Sequence, residues 1–211
     1  YRGNGGAGIP IGISIGKTKI VPVDEAVDDY LTSFALVAPH ADYVAINVSP
    51  RHFRSPDFGD RLLAMFEAHG ADPARLRLEI TEVALLDDAP RTLRILRTLR
   101  QHGILAQLDD FGTGFSALSY LHLFPISVLK IDRSFVSGLG AEARPESLAL
   151  VRAILALAGT LGIETIAEGV ETEEQRSALI ELGCHLGQGY LLGRPMASLE
   201  QVGIADTVQA G

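Results

Sequence analysis

ILAQLDDFGTGFSALSYLHLFPISVLKID, residues 104–132, contains two short apolar runs that are separated by a glycine-containing loop. The first run ends in Asp109 and Asp110, and the second carries Lys130. Short apolar runs of this kind predict buried strands of a parallel sheet. The carboxyl ends of parallel strands meet at one edge of a sheet, so we expect the three charged side chains to face one mouth.

The same alternation of strand-like and helix-like patterns extends along the rest of the chain. It is typical of βα units around a parallel sheet. Strands are predicted at residues 11–15, 43–48, 76–81, 104–109, 128–131, 164–167 and 188–192, and helices at 24–37, 58–69, 89–101, 145–161 and 173–182.

Polar residues at the ends of nearly every predicted strand favour an α/β fold of the TIM-like (β/α) barrel type over an open doubly wound sheet. The chain has 211 residues, whereas such barrels typically have about 250. We therefore predict one barrel domain over residues 1–211, with seven or eight strands and an atypical first βα unit.

Composition excludes several classes of protein. A hydrophobic content of 47% predicts one globular core, and a formal charge of -8 argues against binding a nucleic-acid polymer through a broad basic face. The single Cys184 excludes an intrachain disulfide and a thiolate zinc cluster, which favours the cytoplasm. The longest apolar stretch, residues 153–163, is too short to be a membrane span. Because the sequence begins with Tyr1, we expect a fragment or processed product.

Six successive predicted strands end in polar side chains. These are Asn47, Glu79, Asp109, Asp110, Lys130, Asp132, Glu168, Glu171 and Gln188. So many acids at one mouth repel one another unless a cation neutralises them, and oxygen ligands favour Mg²⁺ or Mn²⁺ over Zn²⁺. The alternative is that the acids cap the following helices. For Lys130, the alternative to a role in the site is a structural ion pair.

The motifs NVSPRHF, LEITE, LDDFGTGFSALSYL, LKIDRSFV, IAEGVET and GCHLGQGYLLGRP, in this order, resemble the EAL-type cyclic di-GMP phosphodiesterases over about residues 43–197. The resemblance implies a modified (β/α) barrel of bacterial signalling proteins that hydrolyses cyclic di-GMP with Mg²⁺ or Mn²⁺. It implies metal ligands at Asn47, Glu79, Asp109, Asp110 and Glu168, and catalytic roles for Lys130, which would orient the attacking water, and for Glu168. It also implies a site role for Gln188, and support of the site or its glycine loop by Glu82, Glu171, Gly112 and Gly114.

The first part of the chain departs from that family, because nothing in it supplies the glutamate of the EAL motif. Residues 1–50 instead resemble class 2 dihydroorotate dehydrogenases through GIPIGISIGKTK, DEAVDDYLTSFALV and ADYVAINVS. The chain thus looks like a chimera of a dehydrogenase-like segment, 1–50, and an EAL-like segment, 47–211. That resemblance implies flavin contacts at Lys17 and Asn47. No FMN is expected, because the later strands with which that family binds the phosphate, and its catalytic base, are absent from this sequence.

Three functions remain open from the sequence. The first is an EAL-type phosphodiesterase that binds cyclic di-GMP with a weakly bound divalent metal and is impaired by the missing glutamate. The second is a non-enzymatic recombined barrel, and the third is a degenerate receptor for cyclic di-GMP or a protein partner. A homo-oligomer is compatible with all three.

Overall fold

The computed structural model describes residues 13–14, 43–112, 118–140 and 143–193. Their strands form one parallel sheet whose spatial order is the order of the sequence. The strands are β1 (Ile13–Ser14), β2 (Val44–Asn47), β3 (Leu76–Thr81), β4 (Leu105–Phe111), β5 (Ile126–Ile131), β6 (Glu164–Glu168) and β7 (Leu186–Gln188). The helices are α1 (Pro50–Arg54), α2 (Phe58–His69), α3 (Glu82–Leu86), α4 (Ala89–Gln101), α5 (Leu118–Leu121), α6 (Arg133–Val136), α7 (Pro145–Leu161) and α8 (Glu173–Glu181), with a 3₁₀ turn at Pro73–Arg75.

Side-chain alternation gives the sheet an apolar face and a polar face. In β3, Leu76, Leu78 and Ile80 are buried in the hydrophobic core. Successive side chains of a strand point to opposite sides, so Glu79 lies on the other face. The parallel register aligns Asn47 with Glu79, and this polar face therefore continues from strand to strand.

Helices cover the apolar face of the sheet. Helix α4 buries Ile95, Leu96 and Leu99 at the three- and four-residue spacing of one helical stripe. Asp88 caps its first turn, since the Asp88 side chain accepts a hydrogen bond from the backbone N–H of Arg91. The predicted helices 58–69, 89–101 and 145–161 are confirmed with these bounds.

One predicted strand is wrong. Residues 188–192 were expected to be extended, but β7 ends at Gln188 and the chain turns, with the N–H of Leu192 donating to the carbonyl of Gly189. The backbone of Gly189 lies so close to Val170 that a Cβ there would be 2.3 Å from the Val170 nitrogen. Only glycine fits this close approach, just after the residue at which β7 ends.

Several other elements differ from the sequence prediction or lie outside the described residues. The short helices α1, α3, α5 and α6 were not predicted, because four or five residues are too few to show a helical period. The predicted helix 24–37 and Gly114 lie outside the described residues. Of the predicted strand 11–15, only β1 is described.

The sequential parallel order is that of a TIM-like barrel. Within the described residues, the pairings run from β1 to β7, and none joins β7 back to β1. The number of strands in the complete barrel stays a prediction. None of the described helices has both the length and the apolar character needed to cross a membrane.

Candidate metal centre

Lys130, on β5, lies at the centre of the polar face. Its Nζ is 3.0 Å from Glu79 Oε1, 3.0 Å from Asp109 Oδ1 and 2.6 Å from Glu168 Oε1. The Lys130 and Glu79 side chains are each 3% exposed. Three of the predicted acids, carried by three different strands, are thus brought together around one buried cation.

Asn47 extends this group towards β2. Its Nδ2 donates a hydrogen bond of 3.2 Å to Glu79 Oε2, so both oxygens of Glu79 have a partner. Because Asn47 donates here through its amide nitrogen, its amide oxygen is not used in this contact. The structure therefore brings Asn47 and Glu79 together, and their role as metal ligands stays a prediction.

A second group consists of Asp109, Asp110 and Glu168, which offer carboxylate oxygens within 4.8 Å of one another. Neighbouring residues of a regular strand point to opposite faces, so Asp109 and Asp110 would ordinarily diverge. An irregularity in the strand register brings them together. The three-residue interval from Leu108 to Phe111 on β4 pairs with a two-residue interval on β5. Asp110 also has a left-handed φ of 52°. A bulge of this kind redirects a side chain.

Burial and charge repulsion change the protonation of this site. Burial, reinforced by the charge of Asp109 and only partly opposed by Lys130, raises the pKa of Glu168 to about 7. Burial also raises the pKa of Glu79 against the lowering effect of Lys130. Burial alone would lower the pKa of Lys130, but Glu79, Glu168 and Asp109 outweigh it and hold that pKa above its usual range. Lys130 is therefore charged at neutral pH.

Gln188, at the end of β7, supports Glu168. Its Nε2 donates to Glu168 Oε1 at 2.5 Å, the same oxygen that faces Lys130. Two donors on one oxygen fix the orientation of the carboxylate. The structure thus brings Gln188 together with Glu168, and its role in the site stays a prediction.

The glycine loop after β4 is held by Glu82. Glu82, buried at the start of α3, accepts a 2.8 Å hydrogen bond from the backbone N–H of Gly112. Gly112 has a φ of 96°, a conformation that strongly favours glycine. This contact places Glu82 in the loop-supporting position that the resemblance implied.

Asp132 and Glu171 lie outside the carboxylate group. Asp132 caps α6, since its side chain accepts from the N–H of Ser134. The helix-cap alternative is therefore correct for this acid. Glu171 follows β6 and pairs with Arg133 through an oxygen–nitrogen distance of 2.8 Å.

Two residues of the site region were missed from the sequence. Gln175 is buried and accepts hydrogen bonds from the N–H groups of Glu171 and Thr172, so it orders the loop after Glu168. The capping-box spacing between Thr172 and Gln175 is a signal that could have identified it. No comparable local signal marks Arg133.

The residues present fit a divalent cation. Asp109, Asp110 and Glu168 supply hard oxygen donors at one place. Asp109 Oδ1 is buried and, within the described part of the chain, has no hydrogen bond, although it lies 3.0 Å from Lys130 Nζ. Lys130 is therefore its ionic partner, and the fit to a cation rests on the three converging carboxylates.

The chain is similar to known proteins over most of its length. The EAL domain family model matches residues 23–195. The bifunctional diguanylate cyclase/cyclic di-GMP phosphodiesterase MucR of Pseudomonas aeruginosa is 44% identical over 158 residues, which are 74% of this chain and 23% of MucR. The solved PaMucR phosphodiesterase, a c-di-GMP complex, has a TM-score of 0.75 at 40% identity and covers 84% of this chain and 77% of that chain.

Two further solved structures are similar. The EAL domain of Mycobacterium smegmatis DcpA has a TM-score of 0.76 at 35% identity, over 88% of this chain and 87% of that chain. The manganese/cy-diGMP complex of Klebsiella pneumoniae BlrP1 at pH 9.0 has a TM-score of 0.70 at 31% identity, over 78% of this chain and 43% of that chain.

The matches differ in how much of each protein they cover. Three curated relatives are much longer proteins, since the matched part of this chain is 19%, 28% and 23% of their lengths. The EAL family match begins at residue 23, so it includes part of the segment 1–50 that was expected to be dehydrogenase-like. The chimeric interpretation stays a prediction. With the match covering residues 23–195, this chain belongs to the EAL domain family.

Proposed function

We propose that this chain binds cyclic di-GMP together with Mg²⁺ or Mn²⁺ at the site around Lys130, and that it hydrolyses cyclic di-GMP weakly or not at all. The observation that carries the proposal is the group of Asp109, Asp110 and Glu168, whose oxygens converge within 4.8 Å. The similar PaMucR and BlrP1 structures, which are c-di-GMP complexes, support the choice of ligand.

Each residue has a distinct role in this proposal. Asp109, Asp110 and Glu168 bind the cation. Asn47 on β2 and Glu79 on β3 are further ligands of the cation in this proposal. When bound, a divalent cation supplies Lewis-acid activation of water and neutralises charge on a phosphate.

Lys130 and Glu168 are the residues proposed to act on the reacting groups. The neighbouring carboxylates keep Lys130 protonated, so it donates hydrogen bonds and orients a water or phosphate oxygen but does not accept a proton. In the metal-free site Glu168, with a pKa of about 7, can hold a proton near neutral pH, and binding of the cation would displace that proton. Gln188 fixes Glu168 by donating to the same oxygen that Lys130 faces.

The proposed impairment comes from the first part of the chain. The sequence of residues 1–50 contains no EAL tripeptide, so we infer that the site has one carboxylate ligand fewer than the resemblance to the family implies. Defects in the groups around a metal commonly reduce affinity or activity by about 10- to 100-fold. Binding without efficient turnover follows, in one barrel domain that we place in the cytoplasm.

Titration calorimetry with cyclic di-GMP, with Mn²⁺ and with EDTA, tests this function. We expect binding that requires Mn²⁺, and little linear product by chromatography after the titration. Rapid product formation would contradict the impairment. Binding that persists in EDTA would favour the degenerate receptor, and no binding in either condition would favour a recombined barrel without this function.

A further inference from the structure

The short helix α6 lies between the two loops that follow the clustered carboxylates. One loop follows Asp110 at the end of β4, and the other follows Glu168 at the end of β6. Helix α6 touches the backbone of each loop through a different side chain. These two contacts were not predicted from the sequence, and the site described above does not account for them.

Arg133 makes the contact with the loop after Glu168. A Cβ at Gly169 would lie 2.3 Å from Arg133 Cγ, so the aliphatic stem of Arg133 packs directly on the Gly169 backbone. Gly169 also has a left-handed φ of 67°. Two residues further along, Glu171 Oε1 pairs with Arg133 Nη2 at 2.8 Å. Arg133 thus holds this loop at two points, one of them adjacent to Glu168.

Phe135 makes the contact with the loop after Asp110. A Cβ at Gly112 would lie 2.9 Å from Phe135 Cε2, so the edge of the ring occupies the place where a side chain would be. On its other side, the Gly112 N–H donates to Glu82 Oε1. Gly112 is therefore held between Phe135 and Glu82, two residues after Asp110.

Helix α6 is itself firmly placed. Val136 is fully buried in the core, and the Asp132 side chain caps the first turn through the N–H of Ser134. A Cβ at Gly138, just after the helix, would lie 2.1 Å from Ser147 Oγ on α7. The contacts of Arg133 and Phe135 with the loops are therefore made from a fixed support.

We propose that Arg133 and Phe135 are positioning residues, which set the spacing between Asp110 and Glu168 because their side chains pack on the backbone of Gly169 and Gly112, respectively. The inference deepens the proposed function, because it concerns the same cation site. A cation tolerates little error in ligand distance, so a displacement of either loop weakens binding even when all ligands are retained.

Mn²⁺ titration calorimetry on the full chain tests this inference with two variants. Phe135→Leu removes the ring edge on Gly112, and Arg133→Ala removes both the stem on Gly169 and the ion pair with Glu171. We expect each to weaken Mn²⁺ binding by about tenfold, the scale of outer-shell changes at metal sites.

Matched controls separate positioning from general stability. Phe66→Leu trims a fully buried ring of α2, where Phe66 is 1% exposed. Arg176→Ala removes an exposed ion pair with Glu173 of the same 2.8 Å length within α8. We expect both controls to keep the wild-type Mn²⁺ affinity within about twofold, as for sites without a shared partner.

Amide hydrogen exchange in the metal-free protein provides a second readout. The N–H groups of Gly112 and Glu171 each make a 2.8 Å hydrogen bond that depends on loop position. We expect exchange about tenfold faster at Gly112 in Phe135→Leu and at Glu171 in Arg133→Ala, because a loosened loop opens more often.

The outcomes separate this inference from the proposed function. Wild-type Mn²⁺ affinity in both folded variants overturns the positioning role, and so does unchanged exchange at both amides. If the wild-type protein binds no Mn²⁺, the proposed function fails. Faster exchange at the two amides in the variants then still supports α6 as the element that seats both loops.

Discussion

Replacing Lys130 with Met is expected to destabilise the metal-free protein by about 3 to 5 kcal/mol, the usual loss when one partner of a buried ion pair is removed. The substitution leaves Glu79, Asp109 and Glu168 without their shared cation, and their side chains are only 3%, 13% and 15% exposed. Urea unfolding in EDTA measures the loss. Arg54→Met, which breaks the exposed ion pair with Asp87, is the control and should unfold like the wild type.

The loss in Lys130→Met should grow with pH. In the wild type, the pKa of Glu168 is raised to about 7 from 4.5, so the folded state binds this proton more tightly than the unfolded state. The tighter binding of this proton adds to the free energy of unfolding below pH 4.5, and this contribution is lost as the pH rises to about 7. Without Lys130 the pKa of Glu168 rises further, and the destabilisation should be larger at pH 8 than at pH 5. An equal loss at both pH values would contradict the account.

Asp109→Asn is expected to weaken Mn²⁺ binding by about 100-fold, since outer-shell changes alone reach 10- to 100-fold and Asp109 is placed as a direct ligand. The metal-free fold should be unaffected or slightly more stable, because one charge leaves a repulsive group while Lys130 keeps Glu79 and Glu168 as partners.

Titration calorimetry and urea unfolding measure the two effects of Asp109→Asn. Asp88→Asn is the control, because Asp88 caps α4 and is not one of the clustered carboxylates. A loss of more than about 2 kcal/mol in metal-free Asp109→Asn would show a structural role for Asp109. Unchanged Mn²⁺ affinity would remove it from the ligand set.

Much of the site could be predicted because strand ends converge in a parallel sheet. Glu79, Asp109, Lys130 and Glu168 each follow or interrupt an apolar run, and the structure brings all four into contact. Periodicity also predicted α2, α4 and α7, whose lengths of 12, 13 and 17 residues are enough to show a stripe.

The remaining features depend on contacts distant in sequence. The bulge that brings Asp110 beside Asp109 comes from the mismatch between β4 and β5, and strict alternation would have separated the two. The contacts of Gly112 and Gly169 with α6 are made by the Phe135 and Arg133 side chains, and β7 ends at Gln188 just before Gly189 lies against the Val170 backbone. The residue pattern within one strand does not show which residues from distant parts of the chain will contact it.

The proposed function depends on Asp109, Asp110 and Glu168 together holding one divalent cation beside Lys130. Crystals grown with Mn²⁺ and measured at the manganese absorption edge would show where the cation binds. We expect an anomalous peak within about 2.5 Å of carboxylate oxygens from all three residues. A fully ordered site without such a peak, or manganese bound only elsewhere on the protein, would contradict it.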